Sequence, residues 1–482
     1  MEKGLYETLT GYCNMDILPM HMPGHKRNPV FEMENPYRID VTEVTGLDNL
    51  HQPEGVIRRL MDRVTSVYGS DQSYFLINGS TGGILSAITS CCRHGDRIVV
   101  ARNCHKSVYH AIRLLKLRPI YIYPSEEGGE MEHLGIAGII QAEAVEQALQ
   151  AYEGVSCVIL TSPTYEGIVS RIRDIAAVTA RYDVPLIVDE AHGAHFQWHS
   201  SFPDTALQEG ADLVIESLHK TLPSLTQTGI LHARFDRVSK GKLEWALQTY
   251  QSSSPSYVLM AGIERCFAYI EQEGVEAFDA YVDNLRWFEK EMGQLQRLYL
   301  FHSPQKERSK LIIAAGRAGM TGRELAERLY RQYRIETEMS GGHYCIAMTS
   351  VCDETESFRR LAAALREIDA GAAGPTGGEG GALRRREPDI RLVWRAPERG
   401  MYSDEAAECR SKWIPLEKAA CYLAAEDISF YPPGIPLLVQ GERFSLELIR
   451  VLQYGIQMGY VIHGVRDGRV SIVCEEEGFV HE

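Results

Sequence analysis

The sequence predicts an α/β fold in which helices cover both faces of a largely parallel sheet, with two smaller α+β units after it. Between residue 55 and about residue 235, helical stretches alternate with short strands that are apolar throughout rather than at every second position. This pattern is typical of parallel strands that are buried on both faces. Polar residues directly follow several of these strands, as expected where the carboxyl ends of parallel strands meet at one edge of a sheet.

Composition narrows the classes of protein to which the chain can belong. Its 482 residues are enough for two or three domains with a large core. The 65 acidic and 50 basic residues give a net charge of -15, which argues against nucleic-acid or anionic-membrane binding and is compatible with a cationic substrate. We find no signal-peptide pattern and no apolar run near the ~20 residues that span a bilayer. Eleven cysteines without a Cys-x-x-Cys pair indicate reduced thiols and a cytoplasmic location.

An N-terminal arm is expected over residues 1–54. A short helical stretch is followed by the segment 19–26, which is too rich in Pro, Gly and His for regular structure. The acidic segment 40–54 is open to two interpretations: it meets a positively charged group, or it is a solvated loop.

A large domain is predicted over residues 55–285. The expected elements are helices over 55–68 and from residue 81, and strands at 74–77, 97–101, 120–123, 157–161, 186–189 and 213–216. Each of these strands is a continuous apolar run bounded by turn residues, and helical stretches separate most of them. We therefore expect them to pair mainly in parallel.

Two smaller units are predicted after the large domain. The first, over 286–370, alternates strands at 310–314 and 344–349 with helices at 321–333 and 354–368. A Gly-rich linker over 371–388 follows, because its composition cannot bury a core. The second unit, over 389–482, contains Tyr431-Pro-Pro-Gly-Ile-Pro, a turn signal followed by a short strand.

Lys220 is the first candidate for chemistry. The apolar run that ends at Glu216 leads directly into Ser217-Leu-His219-Lys220. A lysine at the end of a buried strand can be desolvated, lose its proton and attack a carbonyl group. The alternative is a solvated lysine at a strand end.

A loop of small residues, Gly79-Ser80-Thr81-Gly-Gly, opens a helix after the strand at 74–77. Backbone N–H groups at a helix N-terminus point at an anion, and small residues let a phosphate come close. The loop lacks the Gly-Lys-Ser/Thr of a P-loop and the spaced glycines of a dinucleotide site. It is therefore a weak signal alone and gains weight from Lys220.

Asp189 ends another apolar strand, where a buried carboxylate needs a partner. A protonated pyridine nitrogen is one such partner, and this contact also makes the ring a better electron sink. The alternative is a metal site formed by Asp189, His192 and His195. The sequence has no His-Glu-x-x-His motif, and a metal site leaves Lys220 without a role, so we predict no metal.

Two further strand ends carry polar residues. His105 follows the strand at 97–101, where an imidazole can stack on a planar cofactor or serve as a hydrogen-bonded core histidine. Thr164 lies in the turn after the strand at 157–161, for which a plain Pro-containing turn is the alternative.

Together these residues resemble a known family, the class-I, pyridoxal phosphate (PLP)-dependent Orn/Lys/Arg decarboxylases, in their shorter form without an N-terminal wing domain. The matching motifs are Met22–Lys26, Gly46–His51, Asn103–Ser107, Ser162–Tyr165, Asp189–His195, Ser217–Lys220 and Tyr431–Pro436. They are distributed over almost the whole chain. The resemblance implies a fold-type I, aspartate aminotransferase-like large domain.

The resemblance also implies the roles of the site residues. Lys220 is expected to bind the aldehyde of PLP, His105 to stack on its ring and Asp189 to bind its pyridine nitrogen. His192 is expected near the ring hydroxyl. The remaining expected cofactor-binding residues are Gly79, Ser80, Thr81, Thr164, Ser217 and His219.

The expected function is decarboxylation of a basic amino acid, with arginine favoured over lysine and ornithine. Another fold-type I activity, such as an aminotransferase, and a non-catalytic PLP-fold partner protein remain open. A cationic substrate group needs an ionic partner when it leaves water, and the candidates are Asp48, Glu54 and Glu442. The resemblance implies at least a homodimer, in which Ser254 and Ser256 are candidates to reach the phosphate site of the neighbouring subunit.

Overall fold

The computed structural model describes residues 4–31, 33, 35–126, 128–372, 397–431 and 434–474. The predicted Gly-rich linker over 371–388 lies almost entirely outside the described residues. The two prolines of the Tyr431-Pro-Pro-Gly turn also lie outside them.

The helices and strands fall into an arm, a large α/β unit and two smaller units. The arm contains α1 (Leu5–Cys13), β1 (Leu18–Met20) and α2 (Pro36–Ile39). The large unit contains α3 (Val56–Tyr68), β2 (Gln72–Leu76), α4 (Gly79–Cys91), β3 (Arg97–Ala101), α5 (Lys106–Leu114), β4 (Arg118–Ile122), α6 (Glu130–Leu134), α7 (Ala142–Ala151), β5 (Val155–Thr161), α8 (Ile172–Arg181), β6 (Leu186–Asp189), β7 (Leu213–Glu216), α9 (Leu218–Thr221), β8 (Gly229–Ala233), α10 (Lys240–Tyr250) and α11 (Tyr257–Met292).

The smaller units complete the chain. The first contains β9 (Tyr299–Leu300), β10 (Lys310–Ala314), α12 (Gly322–Tyr333), β11 (Ile335–Thr337), β12 (Met339–Ser340), β13 (Tyr344–Met348) and α13 (Thr355–Gly371). The second contains α14 (Ser403–Glu408), β14 (Ser411–Pro415), β15 (Ile428–Tyr431), β16 (Pro436–Leu438), α15 (Leu446–Gln457), β17 (Val461–His463), β18 (Val465–Arg466) and β19 (Arg469–Val473).

A seven-stranded sheet in the order β2-β8-β7-β6-β5-β3-β4 forms the centre of the large unit. The pairings among β7, β6, β5, β3 and β4 are all parallel, and β8 is antiparallel to both of its neighbours. The predicted largely parallel α/β fold is thus confirmed. Strand β8 was not predicted, because His232 interrupts its apolar run.

The first smaller unit is an antiparallel sheet in the order β12-β13-β10-β9. Strand β1 of the arm pairs in parallel with β11, so the arm is tied to this unit. The boundary predicted between residues 285 and 286 falls inside α11, a continuous helix of 36 residues. The division into domains therefore stays a prediction. No helix in the described ranges is long and apolar enough to cross a membrane.

The C-terminal unit has two three-stranded sheets, β14-β19-β18 and β16-β15-β17, and an apolar cluster of its own. Strand β16 is the short strand predicted after the Pro-rich turn. A buried ion pair joins this unit to the large sheet: Arg102, just after β3, lies 3.0 Å from Glu442. Arg102 also donates to the backbone carbonyl groups of Pro436 and Leu437. Strand β16 is thereby held beside the carboxyl end of β3.

Candidate functional site

A cavity of about 420 Å³ lies at the carboxyl ends of β3, β5 and β6, beside the N-termini of α4 and α9. This is the edge of a parallel sheet at which ligands bind. Nine of the residues predicted to bind a cofactor line it: Gly79, Ser80, Thr81, His105, Thr164, Asp189, His192, His219 and Lys220. Side chains that are up to 141 positions apart in the chain are therefore brought to one place by strand order.

The glycine loop begins α4. Gly79 has a positive φ of 66°, a conformation that glycine adopts without steric cost. A Cβ atom at Gly83 would lie 2.6 Å from the side chain of Leu76, so the absence of a side chain lets α4 approach the sheet closely. The first turn of α4 thus presents backbone N–H groups to the cavity beside the Ser80 and Thr81 hydroxyls, which suits an anion.

Asp189 ends β6 and is only 2% exposed. Its carboxylate accepts hydrogen bonds from the Ala191 backbone N–H at 3.2 Å and from the Thr161 hydroxyl at 3.4 Å. Burial raises the pKa of Asp189, and the nearby Lys220 amine opposes that rise. A cation or a protonated ring nitrogen in the cavity would pair with this carboxylate.

Lys220 lies in α9, the single helical turn that follows β7 and Ser217. Its Nζ is 3.0 Å from Nε2 of His192. Burial lowers the pKa of Lys220, while the carboxylates of Asp189 and Glu338 oppose that shift. The local structure therefore favours an amine that loses its proton more readily than a solvated lysine.

Two further histidines face the cavity in neutral form. Burial and the charge of Lys220 lower the pKa of His105 to about 3, and its Nδ1 lies 2.9 Å from the Ser107 hydroxyl. Burial lowers the pKa of His219 to about 4. Nδ1 of His219 is 2.8 Å from the Thr228 carbonyl oxygen, which can only accept, so this nitrogen carries the proton.

Ser217 is the predicted cofactor residue whose side chain is not part of the cavity wall. It is fully buried at the N-terminus of α9, and its Oγ has no hydrogen-bond partner among the described residues. The same holds for Oδ1 of Asn103, which does line the cavity. A buried polar atom without a partner is costly, so Asn103 is a position at which a bound molecule would supply a hydrogen bond.

The histidines of the alternative metal site, His192 and His195, have contacts other than a shared metal position. His192 bridges Lys220 and Lys310, whereas His195 lies 3.4 Å from Glu307. Among the described residues, no group of three His, Cys, Asp or Glu side chains is arranged to hold a metal ion.

Sequence reasoning missed two carboxylates. Glu338 lines the same cavity, where it accepts hydrogen bonds from the Tyr165 hydroxyl at 2.5 Å and from the Met22 backbone N–H at 2.9 Å. Glu166 lines an adjoining cavity of about 160 Å³ that shares Thr164 with the first. Burial raises the pKa of Glu166. Glu166 directly follows the Ser-Pro-Thr-Tyr motif, so its position was available as a signal.

The adjoining cavity is lined mainly by apolar and aromatic residues, with Asn103, Thr164 and Ser340 as neutral polar residues and Glu166 as the charged one. Its wall includes Tyr344 of the first smaller unit, together with Phe430, Tyr431 and Tyr460 of the C-terminal unit. Both cavities share Asn103, Thr164, Tyr431 and Ile435. The two cavities are therefore adjacent, with Lys220 on the wall of one and Glu166 on the wall of the other.

Two of the three predicted substrate carboxylates have other partners within this chain, and their role in substrate binding stays a prediction. Glu442 is buried against Arg102 and accepts the Val439 backbone N–H at 2.7 Å. Asp48 accepts five backbone N–H groups at and before the start of α3, at 2.8 to 3.1 Å. Backbone donors thus saturate the carboxylate of Asp48. Glu54 is exposed beside α3 and stays a prediction.

The two serines predicted to reach a neighbouring subunit differ. The Ser256 hydroxyl accepts the Leu259 backbone N–H and caps α11. Ser254 is exposed in the preceding turn. Ser254 therefore remains the better placed of the two, and its role stays a prediction.

The sequence is similar to those of known proteins over most of its length. The family model described as Orn/Lys/Arg decarboxylase, major domain, matches residues 3–312. The uncharacterised protein YaaO of Bacillus subtilis (strain 168) is 32% identical over 99% of this chain and 100% of its own length. An arginine decarboxylase of the same organism is 29% identical over 98% of this chain and 97% of its own length.

The fold is also that of a solved structure. The Escherichia coli constitutive lysine decarboxylase superposes with a TM-score of 0.77 at 20% identity, over 94% of this chain and 79% of that one. The fold is thus that of the fold-type I PLP-dependent enzymes. Within that class, the chain belongs to the Orn/Lys/Arg decarboxylase family. The resemblance inferred from the motifs is confirmed.

Proposed function

We propose that the chain is a PLP-dependent decarboxylase of a basic amino acid, with arginine as the favoured substrate. The observation that carries the proposal is the convergence of Lys220, Asp189, His105 and the α4 glycine loop on one cavity. Family membership supports the same chemistry, and the relative named arginine decarboxylase supports the choice of substrate.

The residues of the cavity fit PLP. The first turn of α4, with Ser80 and Thr81, would hold the phosphate, and Asp189 would hold the pyridine nitrogen. His105 is a neutral imidazole whose ring can lie against the cofactor, and Asn103 offers a buried acceptor without a partner among the described residues. When bound, PLP supplies an electron sink that accepts the electron pair left by a departing carboxylate.

The chain's own groups then have defined tasks. Lys220 provides the amine that anchors the cofactor's aldehyde, and it can hold a proton at Nζ beside His192. Asp189 keeps the ring nitrogen protonated by pairing with it in a buried place. Tyr165, fixed by its hydrogen bond to Glu338, closes one side of the cavity next to His192.

Recognition of a cationic side chain falls to Glu166 or Glu338 in this proposal. An extended arginine or lysine side chain would run from the cavity of Lys220 toward the adjacent, largely aromatic cavity that contains Glu166. A guanidinium group suits both features there, since it pairs with a carboxylate and stacks on aromatic rings.

We also propose at least a homodimer in the cytoplasm. Helix α1 of the arm has no buried residue, and its Leu5 and Tyr6 are 77% and 85% exposed. Such an apolar arm gains by packing on a second copy. The eleven cysteines are all free thiols, which supports a reducing compartment. Light scattering that shows a fully active monomer would contradict the dimer.

The proposed function is tested by measuring CO₂ release from arginine, lysine and ornithine with PLP present. We expect release from at least one of them, most rapidly from arginine. Borohydride reduction of the PLP-loaded protein, followed by peptide mass spectrometry, should place the pyridoxyl label on Lys220, and the Lys220→Ala variant should lose the visible absorbance of the cofactor. Formation of a keto acid without CO₂ would indicate an aminotransferase instead. No turnover of any amino acid, with cofactor bound, would indicate a non-catalytic partner protein.

A further inference from the structure

A second lysine, Lys310, contacts His192 of the site. Lys310 begins β10 in the first smaller unit and is fully buried. Its Nζ is 3.1 Å from Nδ1 of His192, whose Nε2 is 3.0 Å from Nζ of Lys220. One imidazole ring therefore bridges two lysine amines that belong to different units of the chain. Burying a lysine is costly unless its amine has a partner, and an ion pair alone does not account for this arrangement, because the nearest Glu307 oxygen is farther away, at 3.9 Å.

The bridge restricts where protons can lie. A neutral imidazole has one N–H donor and one acceptor nitrogen. An ammonium group can only donate, so a charged Lys310 makes Nδ1 of His192 the acceptor and leaves the proton on Nε2. That N–H can then donate only to an amine that has a lone pair, which is the uncharged form of Lys220. The opposite arrangement requires an uncharged Lys310, whose lone pair accepts from Nδ1 while Lys220 donates to Nε2.

The surroundings of Lys310 favour its charged form. Burial raises the pKa of Glu307, but its contacts with His195, Lys310 and Lys306 outweigh burial and lower this pKa to about 2. The carboxylate of Glu307 therefore stays ionised beside Lys310. Burial lowers the pKa of Lys310 to about 8, with Glu307 opposing the shift. Burial and the charges of both lysines keep the pKa of His192 well below its usual value, so the ring is neutral.

We propose that Lys310 is a positioning residue for Lys220: its ammonium group donates to Nδ1 of His192, keeps the imidazole proton on Nε2 and directs that N–H at the Lys220 amine. The proposal rests on the proposed function, in which Lys220 reacts as a free amine. An uncharged amine is the form that attacks an aldehyde. Since Lys310 comes from the first smaller unit, this contact also ties the state of Lys220 to the placement of that unit on the large sheet.

Other charged and titratable groups act on the same amines. Those that face Lys220, His192 or Lys310 are Asp189, Glu338, Glu307, Glu166, Lys306, His105 and His219. Asp189 and Glu338 favour the charged form of Lys220, and both carboxylates are present in the wild type and in the variants. The effect of Lys310 is therefore measured as the difference between the wild type and Lys310→Met, a variant that keeps all of these groups.

Lys306 offers a matched control. It is half-buried beside Glu307, and burial lowers its pKa to about 8. Among the described residues, its amine donates to the backbone carbonyl groups of Glu307 and Lys310 and makes no hydrogen bond to His192. Lys306→Met thus removes a positive charge from the same segment but leaves the histidine bridge intact.

The test is competitive labelling of the cofactor-free protein with acetic anhydride over a range of pH, with the Lys220 peptide quantified by mass spectrometry. In Lys310→Met, the pH at which half of the Lys220 amine reacts should rise by about 1 to 2 units, because a neighbouring positive charge is lost and His192 can accept from Lys220. Lys306→Met should leave this midpoint close to that of the wild type. An unchanged midpoint in folded Lys310→Met, or an equal rise in Lys306→Met, would overturn the proposal.

A second measurement needs no variant and covers the case in which Lys310→Met does not fold. Nitrogen-15 NMR of histidine-labelled wild-type protein should show Nδ1 of His192 as an unprotonated acceptor and Nε2 as protonated. A proton on Nδ1 would overturn the proposal. The borohydride label on Lys220 is independent of both readouts, so a failure of the proposed function is distinguishable from a failure of the Lys310 role.

Discussion

The two halves of the cavity are built in different ways. The cofactor half, around Lys220, Asp189 and the α4 loop, comes from one stretch of the chain in which each side chain directly follows a strand of the same sheet. The half that is proposed for the substrate combines Glu166 of the large unit with Tyr344 of the first smaller unit and Tyr431 of the C-terminal unit. One half is set by strand order, and the other by how three units pack.

This difference determines which site positions the sequence can predict. A strand-end position follows from the local sequence, because parallel strands of one sheet end at one edge. A position between units depends on contacts such as the Arg102–Glu442 ion pair, which no local pattern reveals. If the two halves are separable, a single substitution can damage one half while the other is kept.

The largest effect is expected from Asp189→Asn. Loss of the carboxylate removes the partner of the ring nitrogen, so kcat should fall by several orders of magnitude and the cofactor should bind more weakly. Both are measured by CO₂ release and by titration of the cofactor's absorbance. The matched control is the adjacent Glu190→Gln: burial raises the pKa of Glu190 well above its usual value, so the amide mimics its neutral form. Full activity in Asp189→Asn would remove Asp189 from the cofactor half.

The next largest effect is expected from Glu442→Ala, which leaves Arg102 charged and unpaired in a buried place. Removing one partner of a buried ion pair typically costs about 3 to 5 kcal/mol in the free energy of unfolding, measured by urea denaturation. KM for the basic substrate should also rise, since Arg102 holds the start of β16, directly after the cavity residue Ile435, while the cofactor's absorbance should stay. The double variant Arg102→Met/Glu442→Met should be less destabilised than the single one. Loss of the cofactor spectrum in a folded Glu442→Ala protein would show that the two halves are coupled.

Glu166→Gln addresses the proposed substrate half directly. If Glu166 pairs with the cationic side chain, KM should rise by a factor that corresponds to about 2 to 4 kcal/mol, with the cofactor spectrum intact. The comparison is Glu338→Gln, because Glu338 is already hydrogen-bonded to Tyr165 and Met22. Citrulline, a neutral analogue of arginine, should bind both the wild type and Glu166→Gln weakly. An unchanged KM in Glu166→Gln together with a raised KM in Glu338→Gln would move recognition to Glu338.

The sequence was sufficient for the parallel part of the central sheet, the family and the strand-end residues that line one cavity, since these depend on apolar runs and on the residues at their ends. It was not sufficient for β8, which runs antiparallel to both of its neighbours, or for α11, which runs through a predicted domain boundary. It also did not reveal the partner of Glu442, because acidity near a turn does not show that an arginine 340 positions earlier will pair with that carboxylate. Lys310 gives no sequence signal beyond the start of a strand, since its contact with His192 exists only after the units pack.

The smallest effect is expected from Asp48→Ala. Its carboxylate accepts backbone N–H groups at the start of α3, including those of Gly55 and Ile57. Losing such a cap typically costs about 0.5 to 2 kcal/mol in the free energy of unfolding, which urea denaturation measures against the exposed Glu54→Ala as a control.

The effect of Asp48 also depends on pH. Burial raises the pKa of Asp48, but the hydrogen bonds from the backbone outweigh burial and lower this pKa in the folded protein. Its stabilising contribution is therefore present above the pKa of the unfolded chain and is lost as the pH falls through the folded value, so the difference between wild type and Asp48→Ala should shrink in acid. KM should stay at the wild-type value, because this carboxylate is already saturated by backbone donors; a raised KM with unchanged stability would return Asp48 to the substrate half.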